Sequence, residues 1–418
     1  MNDSTKPLMT TLPEIVDDLI LERVRQLLEV PANSPLKESD LKKLALNTKR
    51  LSDYFTKKVE ERPEFYLKDD RLMAAYLAYF LPSNLLKVNK ALSELMLHPA
   101  VDQFTDCGGK LSVLDVGCGP GTATLGLINF LAQLEQREGP LSLNLMAADN
   151  TQQCLDEASL MPRRLWNAYS EKLPENRLAD LTVRTVKLDM SKINEGLCGE
   201  RFDLIILANS IGEILADNSR VDMGCDLVET LMEDHLEARG GMLIIEPALR
   251  DSSRKLLMIR DELLARGRSS VYSPCIIQDK CGALDNPKDW CHEGYGWAMT
   301  SLIKEMDKRT GFNKSQLKYS YLVLRKDGMT LQDILPADGG ENFRVVSDLL
   351  IMKGERKVFL CGQRGRIQLG RLDRDLSDAN RQFDEIRRGD IVEVKGIYQK
   401  GEVLRIDKEG SVRVISSL

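Results

Sequence analysis

Ten residues constrain the fold of this chain more than any others: Val113-Leu-Asp-Val-Gly-Cys-Gly-Pro-Gly-Thr122. The apolar run from Leu111 to Val116 reads as a buried parallel strand, and Thr122 onward reads as a helix. Between them, Gly117, Gly119 and Gly121 form a turn that can take positive φ and admit a ligand close to the backbone. The helix that follows leaves free amides at its N-terminus, which suit a carboxylate or phosphate. Asp115 falls at the carboxyl end of the strand, where open α/β sheets bind ligands.

The spacing separates two cofactors. A dinucleotide turn is written G-x-G-x-x-G, and here the third glycine comes one position early. The pattern D-x-G-x-G-x-G instead resembles the first motif of class I S-adenosylmethionine-dependent methyltransferases. A plain structural turn is the competing reading, and the full string opening a helix argues against it.

From Leu111 onward, strands and helices alternate, the signature of a doubly wound parallel sheet. The second strand, Leu141–Ala148, ends in Asp149, placed where a carboxylate accepts the ribose hydroxyls of a nucleoside; a helix cap is the plainer alternative. The third strand (Thr182–Leu188) is followed by Asp189, expected at the adenine. The fourth, Phe202–Ala208, delivers Asn209 and Ser210 to the ligand edge, and Met242–Pro247 forms the fifth. The turn after the fourth strand lacks the prolines and aromatic of base amino-methylating enzymes. No Pro-Cys stands at the fourth or fifth strand, as covalent methylation of cytosine C5 requires. No residue is therefore assigned as catalytic.

Residues 1–105 read as a helical region, with helices starting near Pro13, over Ser39–Glu60 and over Asp70–Leu81. Pro82-Ser83 reads as a stop and a new cap. Tyr66, Tyr76, Tyr79 and Phe80 read as core packing in preference to substrate contact. Residues 106–330 form the α/β domain with a cysteine-bearing insert at 270–295, and 331–418 form a β-rich module of alternating apolar and polar residues with glycine turns.

A chain of 418 residues that is 43% hydrophobic and 29% charged is ordinary for a folded protein. No apolar run approaches the ~20 residues of a membrane helix, and neither a signal nor a transit peptide is seen. A cytoplasmic protein without a membrane partner, monomeric when free, is expected. The net charge of −6 argues against indiscriminate nucleic-acid binding. Residues 311–418 nevertheless hold 20 Lys+Arg against 16 Asp+Glu. Lys353, Arg356, Lys357, Arg364 and Arg366 form a candidate RNA-binding patch, against the plainer reading of a solvated strand face.

Of nine cysteines, Cys107, Cys118, Cys154, Cys198 and Cys225 are scattered. Cys275, Cys281 and Cys291 share one loop rich in Pro, Gly and Asp, too long to stand without support. Three thiolates are one short of a tetrahedral or cluster site. Cys361, at the end of a short strand, is the candidate fourth ligand, and His292 is an alternative. Spacing leaves zinc and iron–sulfur open, and the lack of a C-x-x-C pair favours a cluster.

Several of these strings together resemble one family: Tyr76-Leu-Ala-Tyr-Phe-Leu-Pro82, the glycine motif, Ser273-Pro-Cys275 with Cys281, Asp289-Trp-Cys291-His292, Tyr319–Arg325, and Arg344-Val-Val-Ser347 leading to Cys361. It is the methyltransferase-like small-ribosomal-subunit protein family of mitochondria and its bacterial relatives. The resemblance spans about residues 40–395. It implies a class I methyltransferase (Rossmann-like) fold binding S-adenosylmethionine through Asp115, Gly117, Gly119, Gly121, Asp149, Asp189 and Asn209. It also implies a [4Fe–4S] cluster on Cys275, Cys281, Cys291 and Cys361, and a small-subunit rRNA partner that is methylated or merely bound during assembly. The alternative is a small-molecule methyltransferase with a structural zinc.

Overall fold

The structure, a computed structural model, describes residues 10–32, 34–56, 66–101, 109–134, 139–173, 177–214, 221–337, 339–401 and 403–416. Cys107 lies outside them, as does the predicted end of the second helix at Glu60.

Apolar strand sequences assemble the first of two eight-stranded sheets. It comprises β1 (Lys110–Val116), β2 (Leu141–Asp149), β3 (Leu178–Lys187), β4 (Phe202–Ala208), β5 (Leu236–Pro247), β6 (Ser270–Ser273), β7 (Glu293–Gly296) and β8 (Gln316–Arg325). Their order is β3-β2-β1-β4-β5-β8-β6, with β7 pairing β8. β1 to β5 run parallel, and β8 runs antiparallel to β5. Parallel strands covered on both faces must be apolar throughout; Leu111, Val113, Leu114 and Val116 of β1 are all buried, as are Leu204 to Leu207 of β4. The order reverses between β1 and β4, so a crevice opens beyond their carboxyl ends. This is the doubly wound α/β sheet that the alternation predicts.

The helix Thr122–Gln133 follows the glycine turn and lies under the helix Leu81–Leu95. Gly126 permits that approach: a Cβ there would stand 2.9 Å from Val88 Cβ and 3.0 Å from the Leu85 carbonyl oxygen. Asn129 donates to Asn89 Oδ1 at 2.6 Å across the same interface. Lys87 and Lys90 are nonetheless buried on the upper helix.

Pro82 does not end a helix. The helix Asp70–Ala75 passes into a π-helical segment, Tyr76–Phe80, and then directly into Leu81–Leu95. An α-helix cannot take proline in its interior without losing a bond and clashing with the carbonyl four residues back. The wider turn, in which the Leu81 amide bonds the Tyr76 carbonyl, makes room for it.

The second sheet comprises β9 (Glu341–Val345), β10 (Leu350–Met352), β11 (Glu355–Gly362), β12 (Gly365–Leu372), β13 (Ile391–Lys395), β14 (Tyr398–Lys400), β15 (Val403–Ile406) and β16 (Ser411–Ser416). Alternation gives it one apolar face, where Phe343, Val358, Leu360, Leu369, Phe383, Val392 and Ile406 form a separate core.

A buried ionic network joins this sheet to the rest. Arg344 of β9 donates to Glu94 of the helix Leu81–Leu95 and to the Tyr321 hydroxyl of β8, the latter at 3.0 Å. Tyr321 also donates to Glu94. Arg344 and Glu94 are 3% and 0% exposed. Removing one partner of such a pair strands the other charge, so Arg344→Leu is expected to cost about 3–5 kcal/mol. Urea unfolding of the full chain measures it; Arg344→Leu with Glu94→Leu should recover a large part of the loss.

Candidate functional site

The glycine turn is pinned to the end of β2, with the Gly117 and Cys118 amides bonding the Ala148 carbonyl at 2.8 and 3.0 Å. All three motif glycines have positive φ, at 65°, 50° and 85°, and each is needed for a different reason. A Cβ on Gly117 would sit 2.5 Å from Ser210 Cβ, and one on Gly121 would sit 3.1 Å from Ala158 Cα. A Cβ on Gly119 would meet nothing within 4 Å, because Gly119 borders a cavity of about 670 Å³. That volume falls within the ~300–1,000 Å³ of small-molecule sites. The helix Thr122–Gln133 begins beside it; its N-cap, Gly121, has no side chain to cap the first amides, and the Asp115 carboxylate accepts the Thr124 amide.

Asp149 also lines this cavity. Its Oδ2 accepts the Gly119 amide at 2.9 Å and its Oδ1 the Thr151 amide at 2.8 Å. These bonds, with others from the Thr151 hydroxyl and the Asn150 amide, fix the carboxylate in place. Burial holds its pKa above the usual carboxylate range. Asn209 lines the cavity in the left-handed region, φ 59°, with its amide bonding the Ile245 carbonyl at 2.7 Å. Asn tolerates that conformation better than most residues.

Two predicted ligand contacts are displaced. Asp115 is fully buried behind the turn, outside the cavity lining, and its Oδ2 accepts the Thr124 hydroxyl at 2.8 Å. Burial pushes its carboxyl up to about 7. Asp115 thus shapes the first turn of the helix and does not line the cavity. Asp189 is exposed and outside the lining, because β3 stops at Lys187 and a 3-10 turn begins at Met190.

The far half of the cavity holds residues that the sequence did not single out. Lys87, Lys314 and Lys318 line it together with Glu246 at the end of β5. Glu246 Oε1 accepts the Gly212 amide at 3.2 Å. Burial pushes the Lys87 amine down to about 7. Tyr66, Tyr76 and Phe80, read from sequence as core, line the cavity with Phe55, whereas Tyr79 turns away to bond Asp307 at 2.5 Å. A lysine inside the apolar stripe Leu85–Val88–Leu92 was the available signal for Lys87; Lys314 had none.

Cys275, Cys281, Cys291 and Cys361 line one second cavity of about 50 Å³, also faced by His292 and Arg366. The insert from Pro274 to His292 carries no helix or strand. It is held by Arg254, which donates to the carbonyls of Ala283, Asn286 and Asp289. Burial raises the Cys281 thiol to about 12 and the Cys291 thiol to about 11, while Arg260 beside the first and Arg366 beside the second pull the other way. The predicted thiols converge. Among the described residues, however, no three His, Cys, Asp or Glu side chains are grouped as ligands of a metal ion. The four cysteines stand as free thiols around an apolar void.

The basic patch is largely neutralised. Arg356 pairs with Asp373 and with Asp384 at 3.1 Å, Lys357 with Glu355 at 3.0 Å, Arg364 with Glu341 and Arg366 with Asp289 at 3.0 Å. Carboxylates distant in sequence arrive by folding, and only Lys353 of the five makes no ion pair among the described residues.

A sheet that reverses at β1/β4, three positive-φ glycines and an acid at the tip of β2 together define the class I methyltransferase fold. The chain belongs to the family whose model, described as mitochondrial small ribosomal subunit Rsm22, matches residues 71–372. Among solved structures it is similar to a Listeria monocytogenes protein classed with the class I S-adenosylmethionine-dependent methyltransferases, at 14% identity and TM-score 0.33, over 81% of this chain and 91% of that one. It is also similar to the plantazolicin methyltransferase BpumL in complex with SAH, at 14% identity and TM-score 0.27, over 75% and 98%. A precorrin-6y C5,15-methyltransferase of Geobacter metallireducens matches at 12% identity and TM-score 0.30, over 57% and 88%. No curated protein matches the chain.

Gly117→Ala combines left-handed strain with a steric clash and should cost about 2–5 kcal/mol, against about 1–2 for Gly119→Ala; chemical denaturation of both variants tests the order. Asp115 has a folded pKa near 7 against an ordinary value of 3.8. The folded state therefore binds the extra proton between these values, and stability falls as pH rises from about 4 to 7. Asp115→Asn should flatten that slope in unfolding measured across the range.

Proposed function

We propose that this chain binds S-adenosylmethionine beside its glycine turn, carries an iron–sulfur cluster on Cys275, Cys281, Cys291 and Cys361, and acts on the RNA of the small ribosomal subunit. The observation that carries the cofactor reading is Gly119: its missing side chain opens backbone to the same cavity into which Asp149 presents two fixed oxygens. The family description supports the ribosomal part.

Asp149 would accept the ribose hydroxyls, and the amides at Thr122 and Ala123 would meet the cofactor's carboxylate. Bound there, S-adenosylmethionine supplies an electrophilic methyl group. Asn209 and Glu246 border the place where an acceptor would stand. An acceptor atom that is already nucleophilic needs chiefly positioning and exclusion of water, which these groups supply without a general base. The all-cysteine donor set around one cavity supports a cluster. Ligation requires thiolates, and Arg260 and Arg366 favour that form.

Calorimetry with S-adenosylhomocysteine should show binding that Asp149→Ala weakens tenfold or more; absence of heat with the unaltered protein removes the cofactor reading. Protein purified without oxygen should be brown and contain about four irons and four sulfides per chain, as a [4Fe–4S] group requires. Zinc in a colourless preparation would replace the cluster with a structural ion. Transfer of labelled methyl to small-subunit RNA separates an enzyme from a binding factor.

A further inference from the structure

We propose that the part of the large cavity bordered by Phe55, Tyr76 and three lysines is a subsite for a single RNA nucleotide, its base against Phe55 and Tyr76 and its phosphate against Lys87, Lys314 and Lys318. This rests on the reading that the near half holds the cofactor.

The wall is built from two separate elements. Phe55 comes from the helix Glu38–Thr56, while Tyr76 and Phe80 come from the π segment. Tyr76 and Phe80 stack at 5.9 Å, and Phe55 meets the Phe80 ring edge-on at 4.9 Å. The Tyr76 hydroxyl lies 3.2 Å from Thr122 Oγ1, which hooks the wall to the first residue of the helix after the glycine turn. The two halves are therefore one continuous cavity with a shared edge.

The three lysines bring positive charge to one cavity, offset in part by Asp307, whose charge acts on Lys314. Lys87 lies on the helix Leu81–Leu95, Lys314 in the loop before β8 and Lys318 on β8, and all three line the cavity. None of them forms an ion pair among the described residues. Lys87 donates only to Asn84 Oδ1, at 2.8 Å. Lys314 Nζ stands over the Phe80 ring at 5.3 Å. The nearby Asp307 is taken by the Tyr79 hydroxyl and by the Lys314 backbone amide. Glu246, the one acid in this half, is held by the Gly212 amide. Buried cations without anions are costly, and burial has already lowered the pKa of both Lys87 and Lys314. A phosphate would satisfy them, and an unstacked base has a face for the aromatic wall. A neutral acceptor would leave the buried Lys87 amine with Asn84 alone.

The test uses the full chain saturated with S-adenosylhomocysteine and a fluorescent random-sequence RNA octanucleotide. Lys314→Gln with Lys318→Gln, both outside the buried core, should weaken RNA binding about tenfold. The double variant should also reduce the slope of log affinity against log salt by about 0.7, as losing one single-strand phosphate contact requires. Phe55→Leu should weaken binding by a similar factor with the salt slope unchanged. Affinity for S-adenosylhomocysteine should stay within twofold throughout. As a check independent of variants, RNA carrying 4-thiouridine should photo-crosslink to peptides containing Phe55, Tyr76 or Phe80. RNA binding that is indifferent to all three substitutions, or crosslinks confined to residues 341–416, overturns the subsite and leaves the proposed function standing. Loss of S-adenosylhomocysteine along with RNA would assign the lysines to the cofactor. A mononucleotide that binds as tightly as the octamer would make the ligand a free metabolite. Cofactor binding with no RNA affinity in the unaltered protein removes RNA from both readings.

Discussion

One buried guanidinium sets where the second sheet can sit. Arg344 reaches Glu94 and Tyr321 out of contact with water. Burying those charges is unfavourable unless all of them meet, so few dockings of β9 satisfy the set. Cys361 pairs with Arg344 in the β9–β11 register, so docking the arginine also delivers the thiol to the cysteine-bearing insert. Gly282 completes the fit: a Cβ there would stand 3.1 Å from the Arg366 amide nitrogen of β12.

The two cavities share a partition. Leu249 and Ser252, at the start of the helix Arg250–Arg266, line the large one, while Leu256 and Leu257 of the same helix line the small one. Ser253 Oγ is bonded to Ser320 Oγ at 2.6 Å, and Ser320 donates to the Cys291 carbonyl at 3.0 Å.

Much of this arrangement was legible in the chain. Predominantly apolar runs predict β1, β2 and β4 nearly to the residue, because burial on both faces leaves little freedom of composition. The glycine spacing predicts the turn, and the four cysteines converge as their shared loop and strand suggest. The differences have separate origins, and those in the basic patch concern partners far away in sequence. Arg364 is neutralised by Glu341 and Arg366 by Asp289, and no window along the sequence holds both members of the second pair. Tyr76 and Phe80 pack with the core as their apolar character predicts, and they also border the cavity that Lys87 and Lys314 line. Pro82 reads as a terminator because a π turn leaves no mark in hydrophobic periodicity.

That turn makes the site depend on residue count as well as residue type. A π segment holds one more residue than the helical turn it replaces. Deleting Leu77 or Ala78 would let an ordinary helix close with Asp70–Ala75 and Leu81–Leu95 still facing their present neighbours. It would also bring Tyr76 and Phe80 from four residues apart to three and set Pro82 inside a regular α-helix, where its ring meets the carbonyl four residues back. A shortened spacer would thus disturb the aromatic panel even with every ring still in the chain.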